Sequence, residues 1–167
     1  MTNEIPKRRI FALLNFCGLL KLKQMKKYIA FDIGDKRIGI AVSDPLGSMA
    51  LPLETYHRKN FAEDIAYLVK KAEERCADEI VCGLPLNFDG TDSEQTIKTR
   101  SFIAEIEKNT KIPVVAFDER FSTREAHRVL IVEDMSRKNR KKVVDAVAAS
   151  FILEDYMRKV AFENARK

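Results

Sequence analysis

Apolar and polar positions follow two rhythms along this chain. Tyr28-Ile-Ala-Phe-Asp32 is a short apolar run closing on an acid, the pattern of a buried strand. Gly34-Asp35 supplies a turn, and Arg37-Ile-Gly-Ile-Ala-Val-Ser43 reads as a second strand. So short a turn makes the two an antiparallel hairpin. Asp44-Pro45-Leu46-Gly47 is a further turn signal, and residues 49–56 give a third strand. The rhythm then becomes helical. Asn60, with Glu63 three residues on, suits a helix start, and Phe61, Ile65, Leu68, Val69 and Ala72 follow at helical spacing. Residues 79–83 form a strand, and Leu84 to Gly90 a loop. Thr91-Asp-Ser-Glu94 is a capping-box pattern that predicts a helix to about Asn109. Residues 113–117 form a strand ending in Asp118-Glu119. Ser122-Thr-Arg-Glu125 is a second such box, opening a helix to about Val132. Residues 133–142 are polar and basic and read as a loop, and a last helix spans about Val143 to Phe162.

Three hairpin-linked strands followed by alternating helix and strand predict an α/β protein: a mixed five-stranded sheet with helices on both faces. No repeat or internal linker interrupts it, so residues 25–162 are one domain and 163–167 a C-terminal tail. Residues 1–24 stand apart. Their basic start and apolar run from Ile10 to Leu20 have the outline of a signal peptide, but no small-x-small cleavage site follows. The run is also far short of the roughly 20 residues that span a bilayer. The segment reads as a dispensable extension or an upstream-start artefact, against a short amphipathic helix that touches a partner or a membrane surface. A cytoplasmic domain starting near Met25 is the expectation.

Composition narrows the chemistry. The net charge is +5, yet residues 1–27 alone carry +6, leaving −1 on the remaining 140. Overall basicity therefore says nothing about what the folded body binds, and only local clusters count. The three cysteines lack CxxC spacing, so neither a disulfide framework nor a zinc site is indicated. Cys76 and Cys82 lie in apolar contexts and read as small core residues. Two histidines in the whole chain exclude a His-rich metal site.

The candidate chemistry is carboxylate. Asp32 ends the first strand, Asp118 and Glu119 end the last, and Asp145 lies in the first turns of the last helix. Open α/β sheets bind ligands outside the carboxyl ends of their strands, where acids from distant parts of the chain converge. Converging carboxylates repel, and a divalent cation relieves that repulsion; oxygen ligands without His or Cys suit Mg²⁺ or Mn²⁺. Two such ions about 4 Å apart activate water and stabilise a leaving oxygen in phosphodiester cleavage. A strand-end acid is often only a turn residue. Asp145 has the sharper argument: it borders an apolar face marked by Val144, Val147, Ala148, Phe151 and Ile152, and Ala146, Ala148 and Ala149 allow close approach to the sheet. An acid beside a tightly packed face is costly without a cation or hydrogen bond. Glu133, Asp134, Glu154 and Asp155 read as surface acids.

Asp32-Ile-Gly-Asp-Lys-Arg-Ile-Gly-Ile-Ala41 resembles the first motif of the YqgF/RuvX family, proteins named for Holliday junction resolution and for pre-16S rRNA cleavage. Gly83-Leu-Pro-Leu-Asn-Phe-Asp-Gly-Thr91, Asp118-Glu-Arg-Phe-Ser-Thr123 and Lys142-Val-Val-Asp-Ala-Val-Ala-Ala149 resemble its later motifs, in order and with intact spacing, over about residues 26–160. The resemblance implies a ribonuclease-H-like fold and a metal-dependent endonuclease, a hydrolase acting on ester bonds. It implies Asp32, Glu119 and Asp145 as ligands of Mg²⁺ (or Mn²⁺), with Asp118 as a fourth candidate catalytic acid. Adjacent strand residues point to opposite faces, so Asp118 and Glu119 are not expected both to hold the cation, and the family motif implies Glu119.

Basic groups surround these positions. Lys36 and Arg37 sit in the hairpin turn beside Asp32, and Arg120 and Arg124 flank the second acidic strand end. Arg forks suit phosphate oxygens, and charge balance for the acids is the equal alternative. Ser136-Arg-Lys-Asn-Arg-Lys-Lys142 holds five basic residues before the Asp145 helix, so Arg140, Lys141 and Lys142 are expected to grip a nucleic-acid backbone. Ser122 and Thr123 read first as helix caps. Phe88 and Phe121 are the aromatics expected to be exposed.

The leading expectation is processing of the 5′ end of pre-16S rRNA in ribosome biogenesis. The alternatives are a Holliday junction resolvase in DNA repair and a non-catalytic nucleic-acid-binding module of the same fold. An actin-like phosphotransferase is a distant third, since that fold needs a second such domain. RNA and branched DNA offer the same phosphodiester, and the 2′-OH that separates them is read by geometry. A resolvase acting symmetrically needs two sites and hence a homodimer, whereas an rRNA nuclease need not, so monomer and homodimer both stand as expectations. No membrane association of the body is expected.

Overall fold

The sheet is built as the hydrophobic runs require. The computed structural model describes residues 26–87, 89–118 and 137–166. They form β1 (Tyr28–Ile33), β2 (Arg37–Ser43), β3 (Ala50–His57), α1 (Phe61–Glu74), β4 (Glu79–Leu84), α2 (Glu94–Asn109), β5 (Val114–Asp118) and α3 (Arg137–Ala165). The strand order is β3-β2-β1-β4-β5. β1 and β2, and β2 and β3, pair antiparallel; β1 and β4, and β4 and β5, pair parallel. Edge strand β3 carries Pro52, which an edge tolerates because it has a ladder side to spare, and the β2–β3 register slips between Ile40 and Ala41. The helix expected over 122–132 lies outside the described residues.

Strand alternation sorts the core into two layers. Ile29, Phe31, Ile38, Ile40, Ile80 and Cys82 face α1 and α2, meeting Ile65, Leu68, Phe102 and Ile106. Ala30, Ala41 and Val81 face α3, meeting Ala149, Ile152, Leu153 and Tyr156. Each fully buried large side chain contributes about 1.5–3 kcal/mol, so both layers are needed to hold a sheet covered on its two faces. Alanines line both sides of part of the α3 layer: Ala30 and Ala41 on the sheet, Ala148 and Ala149 on the helix. Ala148 and Ile152 are buried as expected, together with Ala149, Leu153 and Tyr156, whereas Val144, Val147 and Phe151 are only half-buried. The expected face is thus met on one side and shifted on the other.

The closest approach is at Gly39. A Cβ there would collide with the main-chain carbonyl of Asp145 and lie 3.1 Å from Ala146 N. Backbone atoms cannot swing aside, so only glycine admits α3 at this point.

Three local expectations need correction. The loop expected over 133–142 is helical from Arg137 onward. Arg and Lys are good helix formers, and no Gly or Pro occurs after Pro113 to stop propagation. α2 opens at Glu94 rather than at the Thr91 box: Ser93 Oγ accepts from Thr96 N–H, and Thr96 Oγ1 accepts from Ser93 N–H, each at 3.1 Å. Thr91 is held instead by Asp89, donating its hydroxyl to Oδ1 at 2.6 Å. Cys82 is buried as expected, and burial pushes its thiol pKa well up. Cys76, however, is exposed. It follows the α1 C-cap, Arg75, with φ of 50°. Its N–H donates to Glu73 O at 2.9 Å and that of Ala77 to Ala72 O at 3.0 Å, the two bonds of a left-handed helix stop.

Two outcomes follow from this packing. Gly39→Ala should lower unfolding free energy by about 3 kcal/mol or more in urea titration, as overpacking against fixed backbone does; a loss near zero would contradict the close approach. Cys76→Gly should raise stability by about 1 kcal/mol, because glycine removes the Cβ penalty of the left-handed region. A destabilised Gly variant would show that the thiol side chain has a packing role.

Candidate functional site

β1 and β4 end at the same edge of the sheet, because they run parallel. β3 runs parallel to β1 through two antiparallel steps, so the carboxyl ends of β1, β3, β4 and β5 share that edge. Asp32 lies there on the α3 face, two residues beyond Ala30 of the α3-side core. Gly39 is its β2 partner, and Thr55 is the β3 partner of Gly39. On the other side, Gly83 follows Cys82, the β4 partner of Phe31. Asp32 therefore stands in a strip of sheet with no side chain on either flank, and α3 settles onto that strip.

Asp145 is the ninth residue of α3, not a first-turn residue. Its main chain rests on Gly39, which puts it one strand away from Asp32 on the same face. Its carboxylate is met by Arg37, at the start of β2, with Arg37 Nε 2.9 Å from Asp145 Oδ2. The approach has ion-pair distance, but no N–H points along it, so the buried Oδ2 has no directed hydrogen bond. Thr55 Oγ1, in the same strip, is also buried without one. An incompletely satisfied carboxylate oxygen beside a second carboxylate strand is what a hard cation would complete. Oxygen donors without His or Cys fit Mg²⁺ or Mn²⁺. Among the described residues no three His, Cys, Asp or Glu side chains gather at one point. The third expected ligand, Glu119, lies outside the described residues.

Asp118 pairs with Leu84, a residue of the α1–α2 layer. Alternation thus puts Asp118 on the face opposite Asp32 and Asp145. Lys36 is exposed in the β1–β2 turn, and Arg37 is engaged with Asp145, the charge-balancing option of the two expected. Arg120, Arg124, Phe121, Ser122 and Thr123 lie outside the described residues, as does Phe88. Arg140, Lys141 and Lys142 fall in the first turns of α3 rather than in a loop, and their side chains are outside what is described. Glu154 and Asp155 are surface acids paired with Arg158 at 3.1 Å each.

Two residues of this end carry no sequence signal. Thr55 joins the Asp32 strip only through register, which could have been counted outward from the two turns. Arg58 is partly buried, with Nε 2.8 Å from Asp64 Oδ2 and a guanidinium N–H donating to Gly34 O at 3.0 Å. It ties the β1–β2 turn to α1. Nothing in the local pattern announces such a pair.

With this geometry established, comparison with known proteins is informative. A family model described as RuvX, Holliday junction resolvase, matches residues 26–159. A Clostridium acetobutylicum protein named "Putative pre-16S rRNA nuclease" is 43% identical over 134 residues, covering 80% of this chain and 99% of that one. A Koribacter versatilis protein of the same name is 46% identical over 131 residues, covering 78% and 86%. Among solved structures, T. thermophilus RuvC in complex with Holliday junction substrate superposes with a TM-score of 0.51 at 13% identity, covering 80% of this chain and 96% of that one. That likeness supports the ribonuclease-H-like fold expected from the motifs. Spanning four-fifths of the chain and nearly the whole of its relatives, the match shows that this protein belongs to the YqgF/RuvX family of Holliday-junction-resolvase-like nucleases.

Proposed function

We propose that this protein is a Mg²⁺- or Mn²⁺-dependent endonuclease that trims the 5′ end of pre-16S rRNA in the cytoplasm. The observation that carries the proposal is Asp145, laid across Gly39 beside Asp32 with its buried Oδ2 short of a hydrogen bond. The names of the relatives support the substrate.

Asp32, Asp145 and, by motif, Glu119 would hold the cation. When bound, it would lower the cost of charge on the attacking and leaving oxygens of a phosphodiester. The chain's own residues do the rest. Arg37 holds Asp145 in place through its ion pair and, being in a fork-shaped group, has further N–H donors for a phosphate oxygen. Lys36, exposed on the turn, reaches toward the backbone. The wall of α3 excludes water from one side of the acid strip. Arg120, Arg124, Arg140, Lys141 and Lys142 extend the grip to flanking phosphates, which makes binding steeply salt-dependent. Asp118 serves on the other face of the sheet and is not assigned to the cation.

The family description favours a second reading, cleavage of four-way DNA junctions. Symmetric cutting would then demand a homodimer with two sites.

The purified full chain should cut a labelled precursor 16S 5′ fragment in Mg²⁺ or Mn²⁺ and leave a four-way junction intact. Asp32→Asn and Asp145→Asn should each slow cutting about a thousandfold, the several kcal/mol that a bound cation supplies, with circular dichroism unchanged. Preferential cutting of the junction would transfer the proposal to DNA. Absence of cutting on both substrates, with binding intact, would leave a non-catalytic module.

A further inference from the structure

On the side of the sheet away from α3, the same edge carries a groove that the acid strip does not use. Its volume is about 270 Å³, and Phe61, Phe102, Ile97, Arg58, Lys98 and Thr99 form most of its wall. It sits between the starts of α1 and α2. Ile33, the residue after Asp32, also lines it, so groove and acid lie back to back across the end of β1.

Apolar and polar side chains share the wall, with Asp35, Gln95 and Ser101 among the polar ones. Phe61 is 46% exposed and Ile97 57% exposed, although Phe61 was expected on the buried face of α1. Phe61 meets Phe102 edge-on at 5.2 Å, and the Arg58 guanidinium lies 4.8 Å above the Phe102 ring. Phe102 is itself buried, so Phe61 and Ile97 are the apolar groups that the groove leaves open. Thr99 contributes a second, separate observation: it is fully buried, yet its Oγ1 has no hydrogen-bond partner among the protein atoms. The Lys98 ammonium stands at the rim, 2.8 Å from Glu94. The volume falls just under the 300–1,000 Å³ typical of pockets for drug-sized ligands, which suits one flat ring system. Aromatic and aliphatic faces, an unmet polar atom and a cation at the mouth match an unpaired nucleobase with its phosphate outside.

We infer that this groove receives one unpaired nucleobase of the nucleic acid whose backbone crosses the Asp32–Asp145 strip. The inference rests on the nucleic-acid reading of the protein. It assigns Phe61 and Ile97 to base contact and Lys98 to the adjoining phosphate. The expected preference is then for substrates with an unstacked nucleotide at the cleavage region over fully paired duplex.

The test uses the ¹⁵N-labelled full chain, titrated separately with AMP, CMP, GMP and UMP, and with ribose 5-phosphate as the same ligand without a base. At least one nucleotide should shift the amides of Phe61, Ile97, Lys98 and Thr99, and ribose 5-phosphate should not. Phe61→Ala and Ile97→Asp should each weaken that binding about tenfold, the usual effect of removing one stacking contact. Ile97 is the safer variant, being more than half exposed and away from the Phe102 contact. Four silent nucleotides, equal shifts with ribose 5-phosphate, or undiminished binding in both variants would overturn the inference. So would a phenylalanine-bearing tripeptide that moved these amides while nucleotides did not, which would make the groove a protein-docking site. No step of the titration involves cutting. A chain that binds nucleotides but fails to cleave retains the groove and loses the nuclease, and the reverse result does the opposite.

Discussion

The arrangement depends on one contact between two backbones. α3 packs along the sheet but comes closest where β2 lacks a side chain, at Gly39, and there the Asp145 carbonyl occupies the space of a Cβ. Everything on that face is adjusted to the approach: Ala30 and Ala41 on the sheet, Ala146, Ala148 and Ala149 on the helix, all buried. Close packing in turn leaves Asp145 in a restricted position with little room to turn to solvent. An exposed carboxylate would find water for its lone pairs; this one finds Arg37 at the wrong angle. The site is thus held slightly under-satisfied by packing that a larger residue at position 39 would abolish.

The opposite face is organised by a side chain rather than by its absence. Arg58 spans from Asp64 in α1 to the carbonyl of Gly34 in the β1–β2 turn, and its own N–H donates to Lys36 O at 3.1 Å. Asp64 is 1% exposed and also accepts from Lys59 N–H at 2.9 Å. Burying such a pair is costly unless the partners are well supplied with hydrogen bonds, and here both are. The return is geometric. The turn that follows Asp32 is fastened from below, so the acid emerges from the sheet on a fixed stem.

Legibility from sequence divided along physical lines. The strands and their acids were readable because a buried strand announces itself by composition, and the polar residue that ends it is conspicuous. The start of α3 was misread because a run of Lys and Arg resembles a loop by charge while being helix-prone by propensity. The Thr91 box was displaced by competition, since Asp89 takes the Thr91 hydroxyl and amide first. Cys76 looked apolar in context, but its place beyond the helix end decides exposure. The Arg58–Asp64 pair and the Thr55–Gly39–Asp32 row were beyond local patterns. Both join segments whose distance is set by register and crossover, which no short window of sequence contains.

The far edge of the sheet is closed by a cluster of another kind. Glu79, at the start of β4, is 8% exposed; it accepts from Tyr156 Oη of α3 at 3.0 Å and from Lys26 Nζ at 3.1 Å. The Lys26 ammonium is pulled up in pKa by that bond, and burial does the same for the Tyr156 hydroxyl. Lys26 leads directly into β1, whose six residues separate it from the acid end by roughly 20 Å. Lys26 therefore stands at the end of the sheet away from Asp32 and Asp145. A tether attached to the Lys26 side chain would leave the end of the sheet that holds Asp32, Asp145 and the Phe61 groove facing outward.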